Sequence, residues 1–350
     1  MRNSLKIIAL AALMLFASCS AVKDNGKESP AHSVSHNSAT ASVFAMDTYM
    51  TITAYGDDAQ AAVDESKEKI AELDALWNVN DERSDIFRIN SRSAAEVSGS
   101  TAELLRFAKE MYIDTDGALD ITLYPVLREW GFTAGDHHVP DDDTLTSLLA
   151  QTGSEKISVS GNSVMIPDGF MLDLGSVAKG MTGDIISGIM NEHGVSSALL
   201  DLGGNIQAVG KKPDGSDWKI GLKDPHGDGL FGVLEVSDKA VVTSGGYERY
   251  FEQDGQIYWH ILDSKTGKPA KNGLISATVV GSEGRLCDAL STALFVMGEE
   301  KAVSYWRGHD GFDMILITDD DRVLISEDIA KCYSSNGLYE KTEVIKRGEK

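Results

Sequence analysis

The 350-residue sequence is poor in cysteine and in positive charge, and it lacks the short motifs of several common enzyme classes. It has 3 cysteines and a formal net charge of -22 at pH 7. An acidic surface disfavours nucleic acids and broad anionic-lipid contacts as partners. No H-E-x-x-H or cysteine/histidine pattern indicates zinc, and no G-x-S-x-G turn indicates a serine hydrolase. Neither the P-loop nor the dinucleotide-binding glycine fingerprint is present.

The first residues have the pattern of a secretory signal. Arg2 and Lys6 precede an apolar run at 7–16, which is too short to cross a bilayer. The run leads into Ala-Ser-Cys, which resembles the bacterial lipobox, whose cysteine becomes the lipid-modified first residue. The sequence therefore predicts a lipoprotein signal at 1–18 and lipidation of Cys19, with a plain signal peptide as the alternative. By resemblance to the lipoprotein sorting rule, Ser20 weakly favours the outer over the inner membrane.

The rest of the chain is predicted to be a tether followed by one folded region. Residues 19–41 are rich in serine, alanine, asparagine and histidine without periodicity, which predicts a flexible tether. Residues 42–347 show no second linker and no repeat, so we expect one large domain or two closely packed halves. Within it we predict a strand at 44–55 and a helix opened by a capping box at Ser100 and Glu103. Cys287 and Cys332 are expected to be free and buried, with a disulfide as the alternative.

A candidate phosphate site lies at 172–180, where an apolar run predicted as a buried strand turns into a helix. Gly175 and Ser176 fall in the turn, and Lys179 falls in or near the first helical turn. Backbone N–H groups, the positive end of a helix dipole and a cation together favour phosphate. Asp173 just upstream can accept hydrogen bonds from a sugar or a base ring. The alternative is an ordinary turn with a solvated lysine.

Other positions carry candidate chemistry. Asp288 and Thr292 are four residues apart on a predicted helix, so their oxygens face one side and suit a hard cation such as Mg²⁺. The alternative is that Asp288 only caps its helix. His260 lies on a predicted strand among apolar neighbours, where it is either a core residue or a catalyst. Asp120 lies in an apolar setting, where an unpaired carboxylate is unfavourable, so we expect it to have a partner.

Nine short motifs, in this order along the chain, resemble the ApbE family of FAD:protein FMN transferases. The resemblance extends over about residues 44–326. The motifs are M-D-T at 46–48, S-D-I-F-R-I-N at 84–90, D-I-T at 120–122, W-G-F at 130–132, D-L-G-S-V-A-K-G at 173–180, L-G-G-N at 202–205, T-S-G-G-Y-E-R at 243–249, H-I-L-D at 260–263 and D-A-L-S-T-A at 288–293.

The resemblance implies an α+β domain that splits FAD with Mg²⁺ and transfers FMN to a threonine hydroxyl of a partner protein, releasing AMP. The implied partners are flavin-carrying subunits of membrane redox complexes, such as the Na⁺-pumping quinone reductase and the Rnf complex. Many family members are lipid-anchored, so we expect a position on the periplasmic side of a bacterial membrane. The family also contains members that mainly hydrolyse FAD. An FAD diphosphatase and a flavin-binding lipoprotein without catalysis therefore remain alternatives.

Carried over by motif, the resemblance assigns site residues. The implied FAD contacts are Met46, Asn80, Ala118, Leu119, Asp120, Asp173, Lys179 and Leu262. The implied metal ligands are the main chains of Ser176 and Ser291 and the side chains of Asp288 and Thr292. His260 is the candidate for accepting the threonine proton, with Asp288 as its rival. Asn80 stands where the family often has an aromatic residue, which puts a stacking contact with the flavin in question.

Overall fold

The computed structural model describes residues 37–133 and 135–348. The predicted signal, Cys19 and most of the predicted tether lie outside the described residues.

Seventeen strands occur in the described residues. In chain order they are β1 (Ser38–Ala45), β2 (Thr48–Tyr55), β3 (Ala94–Glu96), β4 (Ser158–Ser160), β5 (Ser163–Met165), β6 (Ser197–Asp201), β7 (Asn205–Gly210), β8 (Trp218–Lys223), β9 (Leu230–Val236), β10 (Lys239–Gly245), β11 (Tyr250–Gln253), β12 (Gln256–Trp259), β13 (Leu274–Gly281), β14 (Phe312–Thr318), β15 (Arg322–Ser326), β16 (Tyr333–Ser335) and β17 (Lys341–Ile345).

The helices connect and cover these strands. They are α1 (Ala59–Trp77), α2 (Asp85–Arg92), α3 (Gly99–Asp114), α4 (Tyr124–Glu129), α5 (Asp142–Leu149), α6 (Ala178–Glu192), α7 (Gly284–Met297), α8 (Glu299–Gly308) and α9 (Glu327–Ala330). A short 3₁₀ helix spans Ser154–Lys156. No helix in the described part of the chain is long and apolar enough to cross a membrane.

A nine-stranded sheet forms the centre, in the order β1-β2-β6-β7-β10-β13-β14-β15-β17. Its neighbouring strands are antiparallel except for β15 and β17. Side chains alternate between its two faces. On β10, Ala240 and Val242 belong to the core that contains α7, whereas Val241 packs in the core formed with β8 and β9. The sheet is therefore covered by helices on one face and by the small sheet β16-β9-β8 on the other.

Helices α6 and α7 pack against each other through glycine. A Cβ atom at Gly180 would lie 2.6 Å from Cβ of Asp288 and closer still to the carbonyl oxygen of Gly284. At the other end of this contact, the side chain of Asp184 on α6 accepts the N–H groups of Gly284 at 2.6 Å and Arg285 at 2.9 Å, at the start of α7. This close crossing places the beginning of α6 beside the second turn of α7.

The structure corrects three boundaries. The predicted tether reached residue 41, but β1 begins at Ser38. The predicted strand at 44–55 is a hairpin, because Met46 and Asp47 adopt positive φ angles of 49° and 59°. Alternating apolar residues continue across this turn, and the turn contains no glycine. The sequence pattern therefore did not reveal the hairpin. Helix α3 is capped by Ser98, whose Oγ accepts the N–H of Thr101, rather than by Ser100.

The α+β fold class is confirmed, with mixed sheets and helices in one domain. Both described cysteines are free, as expected. Cys287 is buried on α7, and burial raises the pKa of its thiol. Cys332 is only partly buried, so the expectation that both thiols are buried is wrong for this one.

Candidate active site

A cleft of about 540 Å³ lies where the β1–β2 turn, the start of α6 and the second turn of α7 meet. Its walls contain most of the residues that the sequence pointed to, although these are widely separated along the chain. The predicted residues that line it are Met46, Asn80, Ala118, Leu119, Asp120, Asp173, Ser176, Lys179, His260, Leu262, Asp288 and Thr292. This volume is in the range of small-molecule and cofactor sites.

The stretch before α6 is not a regular strand, which corrects the prediction of a buried strand there. Its backbone is held by a side chain instead. The amide of Asn90 donates to the carbonyl oxygen of Leu172 at 2.9 Å and accepts the N–H of the same residue at 2.7 Å. The N–H of Asp173 donates to the carbonyl oxygen of Ile121 at 2.9 Å. These bonds fix the approach to the turn without a neighbouring strand.

The turn itself delivers a helix N-terminus and a cation to the cleft. Helix α6 begins at Ala178, and Lys179 follows as its second residue. Oδ1 of Asp173 accepts the N–H of Gly175 at 2.9 Å, which closes the turn. Burial raises the pKa of Asp173, and the positive charges of Arg249 and Lys179 partly offset this. The cleft therefore combines cations with the positive end of the α6 dipole, which together favour an anion.

Asp120 has the partners that its apolar setting led us to expect, so that prediction is confirmed. Its Oδ1 accepts the hydroxyl groups of Thr122 and Ser154, both at 2.6 Å. It also accepts the N–H of Thr122 at 2.9 Å. Burial raises the pKa of Asp120 despite these bonds. The network holds one carboxylate oxygen firmly at the cleft wall.

His260 lies directly after β12, on the cleft wall rather than in the core. Its Nδ1 is 3.2 Å from the carbonyl oxygen of Arg249, an arrangement in which Nδ1–H donates and Nε2 is left as the acceptor. Burial lowers the pKa of His260 to about 4, with smaller contributions from the charges of Arg249 and Lys179. The imidazole is therefore neutral at neutral pH and able to accept a proton.

Asp288 does not cap its own helix, so the alternative of a simple helix cap is wrong. It lies inside α7, and its Oδ2 accepts the N–H of Gly180 on α6 at 2.8 Å. One turn later, Oγ1 of Thr292 is 3.3 Å from Oγ of Ser244. Ser291 is fully buried behind the cleft wall, with its Oγ 2.9 Å from the same Ser244 hydroxyl.

These oxygens suit a hard divalent cation. The described residues contain no cluster of three or more histidine, cysteine, aspartate or glutamate side chains that would form a self-sufficient metal site. A magnesium ion needs less, because one or two carboxylates together with substrate phosphates are sufficient. Asp288 could provide one carboxylate and Thr292 a hydroxyl for such an ion, and Lys179 lies in the same cleft.

Several cleft residues were not among the predicted site residues. They are Ser244, Glu248, Arg249 and Asn205. Their motifs contributed to the family resemblance, but neither spacing nor residue type assigned a role to Asn205, Glu248 or Arg249. Burial raises the pKa of Glu248, while the nearby charges of Lys179 and Lys223 oppose this rise. Arg249 also donates to the carbonyl oxygen of Phe132 at 2.6 Å. This bond fixes Arg249, whose own carbonyl oxygen accepts the Nδ1–H of His260.

Comparison with known proteins identifies the family of this chain. The profile of the ApbE family matches residues 46–316. The chain belongs to the ApbE family. The family prediction is therefore confirmed, and with it the prediction that the chain is an enzyme.

Curated ApbE relatives include a FAD:protein FMN transferase of Vibrio cholerae serotype O1. It is 32% identical over 337 residues, which cover 92% of this chain and 95% of the relative. A FAD:protein FMN transferase of Treponema pallidum is 34% identical over 293 residues, covering 78% of this chain and 81% of the relative.

Solved ApbE structures have the same fold. The ApbE protein of Thermotoga maritima superposes with a TM-score of 0.80 at 31% identity, covering 85% of this chain and 99% of that one. The flavinyl transferase ApbE of Pseudomonas stutzeri gives a TM-score of 0.73 at 29% identity, covering 81% and 92% of the two chains.

Proposed function

We propose that this ApbE protein transfers FMN from FAD to a threonine hydroxyl of another protein and releases AMP. The observation that carries the proposal is the single cleft that joins Lys179 and the start of α6 to Asp288, Thr292 and His260. The names of the relatives support FAD and a protein acceptor as the two substrates.

In the proposed reaction the threonine Oγ bonds to the phosphorus on the flavin side of FAD. The bond from that phosphorus to the oxygen bridging the two phosphates breaks, and AMP leaves with this oxygen. The hydroxyl proton goes to Nε2 of His260, which is unprotonated at neutral pH because the pKa is lowered to about 4. The carbonyl oxygen of Arg249 holds the ring in the required tautomer.

The residues of the cleft would stabilise the charged phosphates. Lys179 and the positive end of the α6 dipole attract phosphate oxygens and orient the diphosphate. Asp288, Thr292 and the carbonyl oxygens of Ser176 and Ser291 would hold Mg²⁺. When bound, this ion neutralises negative charge on the diphosphate and on the departing phosphate.

We also propose that the enzyme is lipid-anchored on the periplasmic side of a bacterial membrane. The apolar run at 7–16 and Cys19 support this position. An anchored enzyme meets acceptors in the same membrane, so flavin-carrying subunits of redox complexes of the quinone-reductase and Rnf types are the proposed acceptors. An acidic surface fits protein and cofactor partners better than nucleic acid.

One incubation tests the activity. The purified protein is mixed with FAD and Mg²⁺, with and without a candidate acceptor subunit. Chromatography then measures FMN and AMP, and in-gel flavin fluorescence measures the covalent product. We expect a fluorescent acceptor band and AMP release that depends on the acceptor. Free FMN and AMP without acceptor would identify an FAD diphosphatase, and intact FAD throughout would identify a binding protein. An acceptor whose threonine is replaced by valine is the matched control.

A further inference from the structure

Asn205 is a buried residue with an unusual deficit of hydrogen bonds. Its side chain is 1% exposed, and neither Oδ1 nor Nδ2 has a hydrogen-bond partner among the described residues. Because both ends of the amide are unpaired, exchanging the positions of the oxygen and nitrogen atoms does not remove the deficit. Buried polar groups are nearly always paired, so an amide with two unpaired ends requires an explanation.

The backbone of Asn205 is firmly placed. The two preceding residues, Gly203 and Gly204, have φ angles of 72° and 88°. Their N–H groups both donate to Oδ1 of Asp201, at 3.1 and 3.0 Å. The carbonyl oxygen of Asn205 accepts the N–H of Leu202 at 2.9 Å, and Asn205 then pairs with Val242 on β10. The unpaired side chain is therefore not the result of a loose loop.

The side chain of Asn205 lies on the face of the nine-stranded sheet that packs against α6 and α7. These two helices carry Lys179, Asp288 and Thr292. Gln207, two residues along β7, lies on the same face and donates to Asp184 of α6 at 3.0 Å. Val242 packs in the core with α7, and Ser244, two residues along β10, contacts Ser291 and Thr292 of that helix. Asn205 itself lines the cleft together with Asp288 and Lys179.

We propose that Asn205 is a further substrate-binding residue, whose side-chain N–H donates to an oxygen of the FAD diphosphate. Asn205 shares the cleft with Lys179 and the start of α6, which favour an anionic ligand, and a phosphate oxygen can accept an amide N–H group. Ligand binding then satisfies a donor that the free protein leaves unpaired. This inference rests on the proposal that the cleft binds FAD.

Substitution of Asn205 tests the inference through binding rather than turnover. FAD affinity is measured from flavin fluorescence, with Mg²⁺ and with the metal chelated. Asn205→Ala should weaken FAD binding roughly 10- to 100-fold, which corresponds to a hydrogen bond to a charged group. Riboflavin and adenosine, which lack the diphosphate, should bind as they do to the unchanged protein. The melting temperature of the ligand-free protein should not fall, because the amide makes no bond there.

Asn205→Asp separates this role from cation binding. The carboxylate keeps the size of the side chain but removes the donor and adds a negative charge, so FAD binding should weaken further than in the alanine variant. Tighter Mg²⁺-dependent binding in Asn205→Asp would overturn the proposal, because it would show that Asn205 faces the cation. This variant also keeps the proposal testable if Asn205→Ala does not fold.

Gln207→Ala is the matched control, since Gln207 is an amide on the same strand and face but is bonded to Asp184. It should lower the melting temperature and leave FAD affinity unchanged. Unchanged FAD affinity in both Asn205 variants would overturn the inference and leave the proposed function intact. A failure of the unchanged protein to bind FAD would contradict the proposed function itself.

Discussion

Oδ2 of Asp288 accepts the backbone N–H of Gly180 at 2.8 Å and thereby joins the second turn of α7 to the first turn of α6. Lys179 is the second residue of α6, so this one hydrogen bond positions the carboxylate relative to the proposed phosphate site. Among the described residues, Oδ1 of Asp288 makes no hydrogen bond. One oxygen therefore has a structural role, and the other is available to a ligand.

Replacing Asp288 by asparagine separates these two roles. Asparagine can still accept the N–H of Gly180, so the free energy of unfolding without metal should change by less than about 1 kcal/mol. The negative charge is lost, so Mg²⁺-dependent FAD cleavage should fall at least 10- to 100-fold, roughly the cost of losing even an outer partner of a metal ligand. Denaturant unfolding and AMP release measure the two effects.

Two further variants serve as comparisons for Asp288→Asn. Thr292→Val removes a proposed neutral ligand that water can replace, so it should reduce cleavage less than Asp288→Asn. Asp184→Asn removes a carboxylate from the same helix pair outside the cleft lining, where it accepts N–H groups of Gly284 and Arg285. It should lower stability and preserve cleavage. Near-normal turnover by Asp288→Asn in saturating Mg²⁺ would show that the metal site lies elsewhere.

Lys179→Ala tests the phosphate site. Loss of a charge-assisted hydrogen bond should weaken FAD binding by about 1–3 kcal/mol. Adenosine and riboflavin should bind the variant as they bind the unchanged protein, because they lack the diphosphate. Fluorescence titration measures the affinities. Lys219→Ala is the control, since Lys219 lies on β8 in an exposed ion pair with Glu235, and FAD affinity should not change. Equal losses for all three ligands would indicate general misfolding instead.

The sequence was most informative where local pattern and residue chemistry coincide. The helix after Gly175, the position of Lys179 and the shared side of Asp288 and Thr292 all follow from spacing along one element. The contact of Asp288 with Gly180 could not be predicted, because it depends on how two helices cross. The same holds for the missing hydrogen bonds of Asn205, which arise only because folding buries its side chain without a partner.

Errors arose where one pattern supported two structures. Alternating apolar residues continue through Met46 and Asp47, so periodicity could not distinguish a long strand from a hairpin. Residues 170–172 are as apolar as a buried strand, but the hydrogen bonds of Leu172 and Asp173 go to the side chain of Asn90 and to Ile121, not to a neighbouring strand. Two closely spaced serines, Ser98 and Ser100, are possible caps of α3, and the interactions of Ser98 with Thr101 decided between them.

Cys19→Ala tests the proposed anchor. Without the cysteine no lipid can be attached, so the variant should be released from the membrane fraction while the folded domain keeps its activity. Fractionation followed by the FAD cleavage assay measures both properties. Cys332→Ala, which changes a partly buried free cysteine of the folded domain, is the control and should remain with the membrane. A Cys19→Ala protein that sediments with membranes like the unchanged protein would rule out the lipobox interpretation.

Gly180 and Gly188 on α6 form a matched pair for the helix contact. A Cβ atom at Gly180 would lie 2.6 Å from Cβ of Asp288, whereas one at Gly188 would meet nothing within 4 Å. Gly180→Ala should therefore destabilise the protein by about 1–3 kcal/mol through overpacking. Gly188→Ala should stabilise it by about 0.5–1 kcal/mol because alanine is the better helix former. Denaturant unfolding measures both, and similar values for the two variants would contradict the close crossing of α6 and α7.

Because the pKa of His260 is lowered in the folded protein, the free energy of unfolding should change with pH in a definite direction. The folded pKa of about 4 lies below the ordinary value of 6.5, chiefly because the ring is buried. Between these values the unfolded chain binds a proton that the folded protein does not. The contribution of His260 to the free energy of unfolding is therefore complete above the unfolded pKa and is lost as the pH falls from 6.5 towards 4. His260→Gln removes this titration, so its unfolding free energy should decline less steeply over that window.

The same lowered pKa of His260 determines the pH at which activity should fall on the acidic side. In the proposed reaction the neutral imidazole accepts the threonine proton, so kcat/KM, which reports ionisations of the free enzyme, should fall near pH 4 instead of near 6.5. An NMR titration of the ring resonance that disappears in His260→Gln gives the pKa directly. Removing the Arg249 charge with Arg249→Gln should raise this pKa, because the guanidinium opposes protonation of the ring. A ring that titrates at its ordinary value in the folded protein would show that His260 is solvated and would remove the basis for assigning it as the buried base.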